Sequence, residues 1–332
     1  MTLCVLLQKA LNEKRINSKL YTLLRQFHEN YQETLIKEGL PFDSQDAFFV
    51  TLFEKIEEQL LDPYSFPPFH KAMRTPFDYY RFGIEFIRSL VDMEKSKILH
   101  LENVKKIEKQ LQAQDNVILF ANHQTEVDPQ LISIILEKPF PSLAEEMIFV
   151  AGDRVITDPL AIPFSKGRNL LCIYSKRHID TPPEKKLEKQ QHNRKTMHVL
   201  KELLSTGGRV IYVAPSGGRD RLNAQGKVEP APFDPSSIEM IRLMASEASS
   251  TTHFYPLALS TYTILPPPPS VESEVGEVRA PKRDGVHFSF GNEIDMEHFP
   301  GSELQDRHAR RAACALHIWN LVNSDYILLK KD

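Results

Sequence analysis

His123 and Asp128 are the two residues of this sequence whose types and spacing most directly suggest catalysis. A carboxylate bonded to one imidazole nitrogen fixes the tautomer of the ring and stabilises the positive charge that develops when the other nitrogen accepts a proton. A pair of this kind can act as a general base without a nucleophile from the protein. On one regular helix, residues spaced in this way would point about 140° apart around the axis, so the pair requires a turn between its members.

The residues around this pair predict a strand, a turn and a helix. Residues 116–121 are mostly apolar and strand-forming, which predicts a buried strand that ends just before His123. Proline is favoured at the first position of a helix and aspartate at its N-cap, so we predict a helix over 129–138 that begins directly after Asp128. His123 would then lie at the carboxyl end of a strand, where open α/β sheets bind their ligands. A purely structural interpretation is also open, with Asp128 as a plain helix cap and His123 as a turn residue.

A second cluster follows another predicted strand, 209–213. The segment Ala-Pro-Ser-Gly-Gly-Arg-Asp-Arg, residues 214–221, places Arg219 and Arg221 behind two glycines. Glycines let backbone N–H groups approach an anion closely, and paired guanidinium groups can clamp a phosphate. The segment is neither a P-loop nor a nucleophile elbow, because it lacks the sequence pattern of each. A glycine turn with two solvated arginines is the alternative interpretation.

A third cluster contains Arg177 and His178 and follows the predicted strand 170–174. Basic residues in a short run are often only a solvated surface. The three clusters share one location, however, because each follows a predicted strand, and the carboxyl ends of parallel strands meet at the same edge of a sheet. This shared location favours a ligand site at that edge.

Composition limits the class of protein. The chain has 332 residues, of which 41% are hydrophobic and 26% are charged, and this is typical of a globular protein with a large core. Its formal net charge of −3 gives no general attraction to nucleic acid or to an anionic membrane. The three cysteines are far apart in the sequence, which predicts neither a disulfide framework nor a zinc site. We therefore expect no nucleic-acid partner, no metal or other cofactor and, since no apolar run is long enough, no transmembrane segment.

The order of the predicted elements indicates the fold class. Apolar residues at helical spacing predict one helix over 16–35 and another that runs from Ser44, as its cap, to residue 60. Later in the chain, helices such as 129–138 and 184–205 alternate with five predicted strands: 116–121, 147–151, 170–174, 209–213 and 254–260. We predict an α/β protein with a small N-terminal helical bundle domain, residues 1–75, and a larger α/β domain, residues 76–332. Its central sheet is predicted to be mixed and largely parallel.

The sequence resembles the soluble, plastid-type glycerol-3-phosphate 1-O-acyltransferases, which occur in plant chloroplasts and in chlamydiae. The resemblance is carried by four segments: 122–129, 149–159, 167–170 and 214–221. It extends to residues 74–80 and 256–259, so it covers most of the chain, and the combination of motifs is specific.

The resemblance implies the reaction and the residues that carry it out. A fatty acyl group would pass from an acyl thioester to the sn-1 hydroxyl of glycerol 3-phosphate, giving lysophosphatidic acid in the first step of phospholipid synthesis. His123 and Asp128 are implied to be the catalytic pair. The positions implied to bind the substrate phosphate are Arg177, His178, Arg219 and Arg221. Plant relatives usually have lysine at the first of these positions, and lysine and arginine are not equivalent phosphate donors.

The implied acyl donor is acyl carrier protein or coenzyme A. Acyl carrier protein is acidic, and the predicted helix 184–205 carries candidate docking residues: Lys185, Lys186, Lys189, Arg194 and Lys195. These residues equally fit an ordinary solvated helix face. Peripheral membrane contact for product release is a further expectation. Because the sequence starts at Met1 without a Ser/Arg-rich transit segment, we expect a bacterial cytoplasmic protein, with the plastid stroma as the alternative for a mature chloroplast chain.

Three rival functions stay open at the level of sequence. An acyltransferase with a different phosphorylated acceptor would use the same residues. A non-catalytic protein that binds an acyl carrier or a lipid could share the scaffold, although it would not need both His123 and Asp128. A serine hydrolase would use Ser216 with His123 or His253, but its nucleophile elbow is missing.

Overall fold

The structure is a computed structural model that describes residues 2–175, 179–268 and 276–331, with residues 43 and 44 described in their backbone only. The N-terminal part contains α1 (Leu3–Asn12), α2 (Ser18–Lys37), α3 (Asp43–Leu61), β1 (Phe69–His70), α4 (Tyr79–Arg88), β2 (Lys97–Leu99) and α5 (Leu101–Gln112). The middle part contains β3 (Asn116–Ala121), α6 (Asp128–Leu136), α7 (Pro141–Glu146), β4 (Ile148–Ala151), α8 (Ile162–Lys166) and β5 (Asn169–Cys172). The C-terminal part contains α9 (Lys186–Thr206), β6 (Val210–Val213), α10 (Pro235–Ser246), β7 (Thr252–Ser260), β8 (His287–Phe290) and α11 (Arg307–Leu329).

All the strands named above belong to one sheet, in the order β1-β5-β4-β6-β3-β7-β8-β2. The five central strands, from β5 to β7 in this order, run parallel to one another. The strand β1 is antiparallel to β5, β8 is antiparallel to β7, and β2 runs parallel to β8. The predicted fold class, α/β with a mixed and largely parallel sheet, is therefore confirmed. The carboxyl ends of β3, β6 and β7 lie side by side at one edge.

Successive side chains of the buried strand β3 enter two separate hydrophobic clusters. Val117 and Leu119 belong to one cluster, and Ile118 and Phe120 belong to the other. This division follows from the alternation of side chains along a strand, which sends neighbouring residues to opposite faces of the sheet. Since apolar side chains fill both faces, the whole strand is buried, as its sequence predicts.

The N-terminal helices pack into the same cluster as one face of this sheet. Buried residues of α2 and α3, such as Leu24 and Phe49, are in the cluster that also contains Leu119. The predicted division into residues 1–75 and 76–332 stays a prediction. None of the helices in the described ranges has the length and hydropathy of a membrane span.

Two predicted helix starts differ from the structure. The helix α3 begins at Asp43 with Phe42 at its N-cap, so the prediction of Ser44 as the cap is wrong. The backbone N–H of Asp46 already donates to the carbonyl of Phe42, and the helix therefore starts earlier than its side chains suggest. The helix α6 begins at Asp128 rather than after it. At its other end, α9 stops where Gly207 adopts a φ of 80°, a backbone conformation that glycine accepts without strain.

Candidate active site

The turn between β3 and α6 brings His123 and Asp128 together. Their Nδ1 and Oδ2 atoms are 2.8 Å apart, the Asp128 side chain is 1% exposed, and the His123 side chain is 27% exposed. A carboxylate can only accept hydrogen bonds, so Nδ1 of the imidazole donates and the neutral ring carries its lone pair on Nε2. The ring is thus oriented by a buried carboxylate while part of it faces solvent, which is the arrangement a general base requires.

The carboxylate of Asp128 is held by three further donors. Its Oδ2 accepts hydrogen bonds from the backbone N–H groups of Gln124 and Thr125 at 2.8 and 3.2 Å, and its Oδ1 accepts one from the Thr261 hydroxyl at 2.6 Å. These bonds lead to the preceding turn and to another strand, while the N-cap of α6 is Val127. The prediction that Asp128 is the N-cap of the helix is therefore wrong, and its side chain serves the turn that contains His123.

Two buried amides fix the position of that turn against the end of β7. Asn122 donates to the carbonyl of Leu259 at 3.0 Å and accepts from its N–H at 2.7 Å. The Oε1 atom of Gln124 accepts from the N–H groups of Thr261 and Tyr262 at 2.8 and 3.0 Å. Sequence reasoning missed this role, although polar residues on both sides of the histidine at the end of an apolar strand were a signal for it.

Asp220 connects the His123 turn to the loop that carries the two predicted phosphate-binding arginines. Its carboxylate accepts hydrogen bonds from Asn122 Nδ2 at 2.8 Å, from Gln124 Nε2 at 3.2 Å and from the N–H of Ala231 at 2.8 Å. Its own N–H donates to the carbonyl of His123 at 2.6 Å. Burial raises the pKa of Asp220 to about 6 against the opposing effect of these hydrogen bonds. No local pattern indicates that this residue is buried, because it lies between two arginines in the chain.

Arg219 lies in a cationic cluster with Arg221 and Arg154, of which Arg154 was not predicted from the sequence. One of its terminal nitrogens donates to both carboxylate oxygens of Glu277, at 2.7 and 2.6 Å. Arg154, which follows β4, donates to the same carboxylate at 3.1 Å. Arg221 donates to the carbonyl of Pro268, and burial together with the charge of Arg219 lowers the pKa of Arg221. The three arginines therefore concentrate positive charge at the carboxyl edge of the sheet, where two of them bind the carboxylate of Glu277.

The other two predicted phosphate-binding residues, Arg177 and His178, lie outside the described residues. The chain before them is described as far as Ser175, three residues beyond the end of β5.

A buried ionic cluster supports the site from the side of α6. Arg279, which is 5% exposed, donates to Glu126 at 3.0 Å and to Asp158 at 3.2 Å. Burial acts to raise the pKa of Glu126, but the charge of Arg279 outweighs this effect and the pKa is lowered. The cluster joins two of the sequence motifs, 122–129 and 149–159, to the segment that carries Glu277.

The structure gives no support to the serine hydrolase alternative. The Ser216 hydroxyl donates to the carbonyl of Gly218 in its own loop at 2.9 Å. His253 lies near the amino end of β7, at the opposite side of the sheet, where it contacts Asp115 at 3.2 Å and also Glu293. His253 therefore lies at the opposite end of β7 from the sheet edge that carries the Ser216 loop.

The predicted docking residues around α9 differ in exposure. Lys189 is only 8% exposed and donates to the carbonyl of Thr181, so its place on a docking surface is a wrong prediction. Its aliphatic stem packs against the protein while its charged end finds a backbone carbonyl. The other four are exposed: Lys185, Lys186, Arg194 and Lys195. Of these, Lys186 contacts Asp180 at 2.8 Å.

Comparison with known proteins identifies the family. The Acyltransferase family model matches residues 100–260, a range that runs from α5 to the end of β7. The crystal structure of the 1-acyl-sn-glycerophosphate (LPA) acyltransferase PlsC from Thermotoga maritima aligns with 94% of this chain and 97% of its own, with a TM-score of 0.44 and 15% identity.

Curated relatives are much closer in sequence. The glycerol-3-phosphate acyltransferase ATS11, chloroplastic, of Cucurbita moschata is 40% identical over 92% of this chain and 69% of its own length. The glycerol-3-phosphate acyltransferase, chloroplastic, of Arabidopsis thaliana is 35% identical over 97% of this chain and 71% of its own. Both names agree with the plastid alternative for the location and give no support to the predicted bacterial cytoplasm. The resemblance seen in the sequence is confirmed: this chain belongs to the family of glycerol-3-phosphate acyltransferases.

Proposed function

We propose that this protein transfers a fatty acyl group from an acyl thioester to the sn-1 hydroxyl of glycerol 3-phosphate, with His123 as the general base. Family membership supports the acyl transfer and the acceptor. The observation that carries the proposal is the 2.8 Å contact between His123 and the buried carboxylate of Asp128, which does not cap α6. The product is lysophosphatidic acid.

The chemistry needs one proton carrier and no covalent intermediate on the protein. Nε2 of His123 removes the proton of the sn-1 hydroxyl while the oxygen attacks the carbonyl carbon of the thioester. The C–S bond then breaks, and the departing thiolate takes the proton back from Nε2. Asp128 stabilises the imidazolium during the interval and keeps the ring in the tautomer that the reaction requires. The products are an ester and a free thiol, and His123 returns to its neutral form.

The substrate phosphate is proposed to bind four residues that follow β5 and β6 in the sequence. They are Arg177, His178, Arg219 and Arg221. Guanidinium groups offer forked donors that match phosphate oxygens. Asp220 contacts the His123 turn and lies between two of these arginines, so the phosphate site and the base are tied to one another. Binding energy from the phosphate can therefore be used to position the hydroxyl.

The acyl donor is proposed to be acyl carrier protein, coenzyme A or both. Exposed basic residues at α9, namely Lys185, Arg194 and Lys195, offer a surface of the charge that an acidic carrier needs. We propose the plastid stroma as the location, and the names of the relatives, which are given as chloroplastic, support this proposal.

Transfer of a radiolabelled acyl group to glycerol 3-phosphate, from acyl carrier protein and from coenzyme A in parallel, tests the proposal. We expect transfer by the wild type, and a loss of about 10²- to 10⁴-fold in His123→Ala with binding of glycerol 3-phosphate retained. His253→Ala is the matched control, because His253 also contacts a carboxylate but lies at the other end of β7. No transfer by a folded wild type, or equal loss in both variants, would contradict the assignment.

A further inference from the structure

The Thr261 side chain completes the environment of the proposed catalytic pair. Its Oγ1 lies 2.6 Å from Oδ1 of Asp128, and Thr261 is 1% exposed. Because the carboxylate only accepts, the hydroxyl must be the donor, and the distance is typical of a charge-assisted O–H to carboxylate bond. The oxygen that Thr261 binds is the one that does not face His123.

The position of Thr261 is fixed by the sheet. The strand β7 pairs in parallel with β3, with Ala121 opposite Leu257, and Thr261 is the first residue after β7. Gln124 accepts hydrogen bonds from the N–H groups of both Thr261 and Tyr262. The hydroxyl therefore reaches Asp128 from a rigid, buried strand end.

We propose that Thr261 is a positioning residue for the acyl transfer, which holds the Asp128 carboxylate in the rotamer that faces His123. This inference rests on the proposed function. Without the hydroxyl, Oδ1 would be a buried acceptor without this partner, and the carboxylate could rotate away from the imidazole. A carboxylate that turns away stabilises the imidazolium less, which makes His123 a weaker base.

Other titratable or charged groups lie around the same pair, and a test must leave them in place. Glu126 lies in the same turn, Asp220 and Arg219 come from the loop after β6, and Tyr212 comes from β6 itself. Arg279 pairs with Glu126 from the segment before β8. A substitution confined to Thr261 changes none of these groups, so an effect on the pH profile can be assigned to the lost hydroxyl.

Thr261→Val tests the inference because it keeps the branched shape and removes the hydroxyl. We expect kcat to fall about 10- to 100-fold, with KM for glycerol 3-phosphate changed much less. The acidic limb of the profile of kcat/KM against pH is expected to move to lower pH, because the imidazolium loses part of its stabilisation. Thr261→Ser should restore both properties. The matched control is Ser289→Ala, which removes the hydroxyl of another buried residue and its bond of 2.9 Å to the carboxylate of Asp325.

A spectroscopic measurement separates this inference from the proposed function. The His123 Nδ1 proton in its bond to Asp128 should give a downfield proton resonance, assigned by its absence in His123→Asn. We expect this resonance to move upfield in Thr261→Val, because its hydrogen bond weakens, and to stay in place in Ser289→Ala, whether or not the protein transfers acyl groups to glycerol 3-phosphate. An unchanged resonance and pH profile in Thr261→Val would overturn the positioning role, as would activity losses that simply follow lost stability in both variants.

Discussion

Glu277 accepts hydrogen bonds from Arg219 with both of its carboxylate oxygens, at 2.7 and 2.6 Å. An acidic side chain of the protein is thus already bound to a residue that is proposed to bind the substrate phosphate. The same carboxylate also accepts from Arg154 at 3.1 Å and is largely shielded from solvent. A phosphate that binds Arg219 must therefore compete with an internal anion.

This competition predicts that Glu277→Gln binds glycerol 3-phosphate more tightly. The amide keeps the shape of the side chain but not its charge, so Arg219 is released for the substrate. We expect Kd to fall about 2- to 10-fold, with kcat little changed. Isothermal titration calorimetry measures the first quantity and acyl transfer the second.

Glu239→Gln provides the control for that experiment. Glu239 accepts hydrogen bonds from Arg242 at 3.0 Å and contacts Arg311 at 3.3 Å, away from the sheet edge that carries His123. Its substitution should leave Kd unchanged. A weaker affinity in Glu277→Gln would mean that Glu277 orients Arg219 for the substrate instead of competing with it.

Asp128→Asn should abolish most of the activity without unfolding the protein. The amide has nearly the shape of the carboxylate but lacks its charge, so it neither stabilises the imidazolium nor fixes the productive tautomer of His123. We expect kcat to fall about 10²- to 10⁴-fold while Kd for glycerol 3-phosphate stays near that of the wild type. Asp234→Asn is the control, because Asp234 caps α10 and asparagine also caps helices. Retained activity in Asp128→Asn would disprove the role of the pair.

Asp220 should make the free energy of unfolding fall as the pH rises from about 4 to 6. Burial raises its pKa from 3.8 to about 6, so in this window the folded state binds more protons than the unfolded state. The stabilisation is fully present below the unfolded pKa and is lost as the pH rises through the folded pKa. Relative to Asp220→Asn, the wild type should lose about 1 to 3 kcal/mol across the window.

Denaturant unfolding of both proteins at several pH values measures this difference. Asp306→Asn serves as the control with the opposite sign. Hydrogen bonds from the backbone N–H groups of Ala309 and His308 lower the pKa of Asp306, so its stabilisation is lost as the pH falls. A pH-independent difference between wild type and Asp220→Asn would show that Asp220 does not titrate with the raised pKa.

Gly167→Ala should destabilise the protein through a backbone clash. A Cβ atom at this position would meet the carbonyl group of Tyr79 and lie 2.7 Å from the backbone nitrogen of Tyr80, and neither group can move independently of α4. We expect a loss of about 1 to 3 kcal/mol in the free energy of unfolding. Gly152→Ala is the matched control, because nothing lies within 4 Å of the added Cβ and its φ is −75°. Equal midpoints of thermal unfolding for the two variants would contradict the prediction.

Local patterns in the sequence predicted most of the fold. The strand 116–121 was predicted with its observed bounds, because all six residues are buried and the apolar run from Val117 to Ala121 is unbroken. The short strands β1, β2 and β8 were not predicted. They contain two to four residues each, and their pairing depends on neighbours that are distant in the chain. The start of α3 was missed because Ser44 has the chemistry of a cap, whereas the backbone begins the helix at Asp43.

The sequence alone determined the fold class, the family resemblance and the pairing of His123 with Asp128, because these follow from residue types and from spacing within one turn. Only the tertiary structure decided that Thr261 and Asp220 contact this turn and that Glu277 forms an ion pair with Arg219. Those contacts join residues that are from 58 to 137 positions apart. They exist because parallel strands bring distant segments to one edge of the sheet, and the sequence does not encode that proximity in any local pattern.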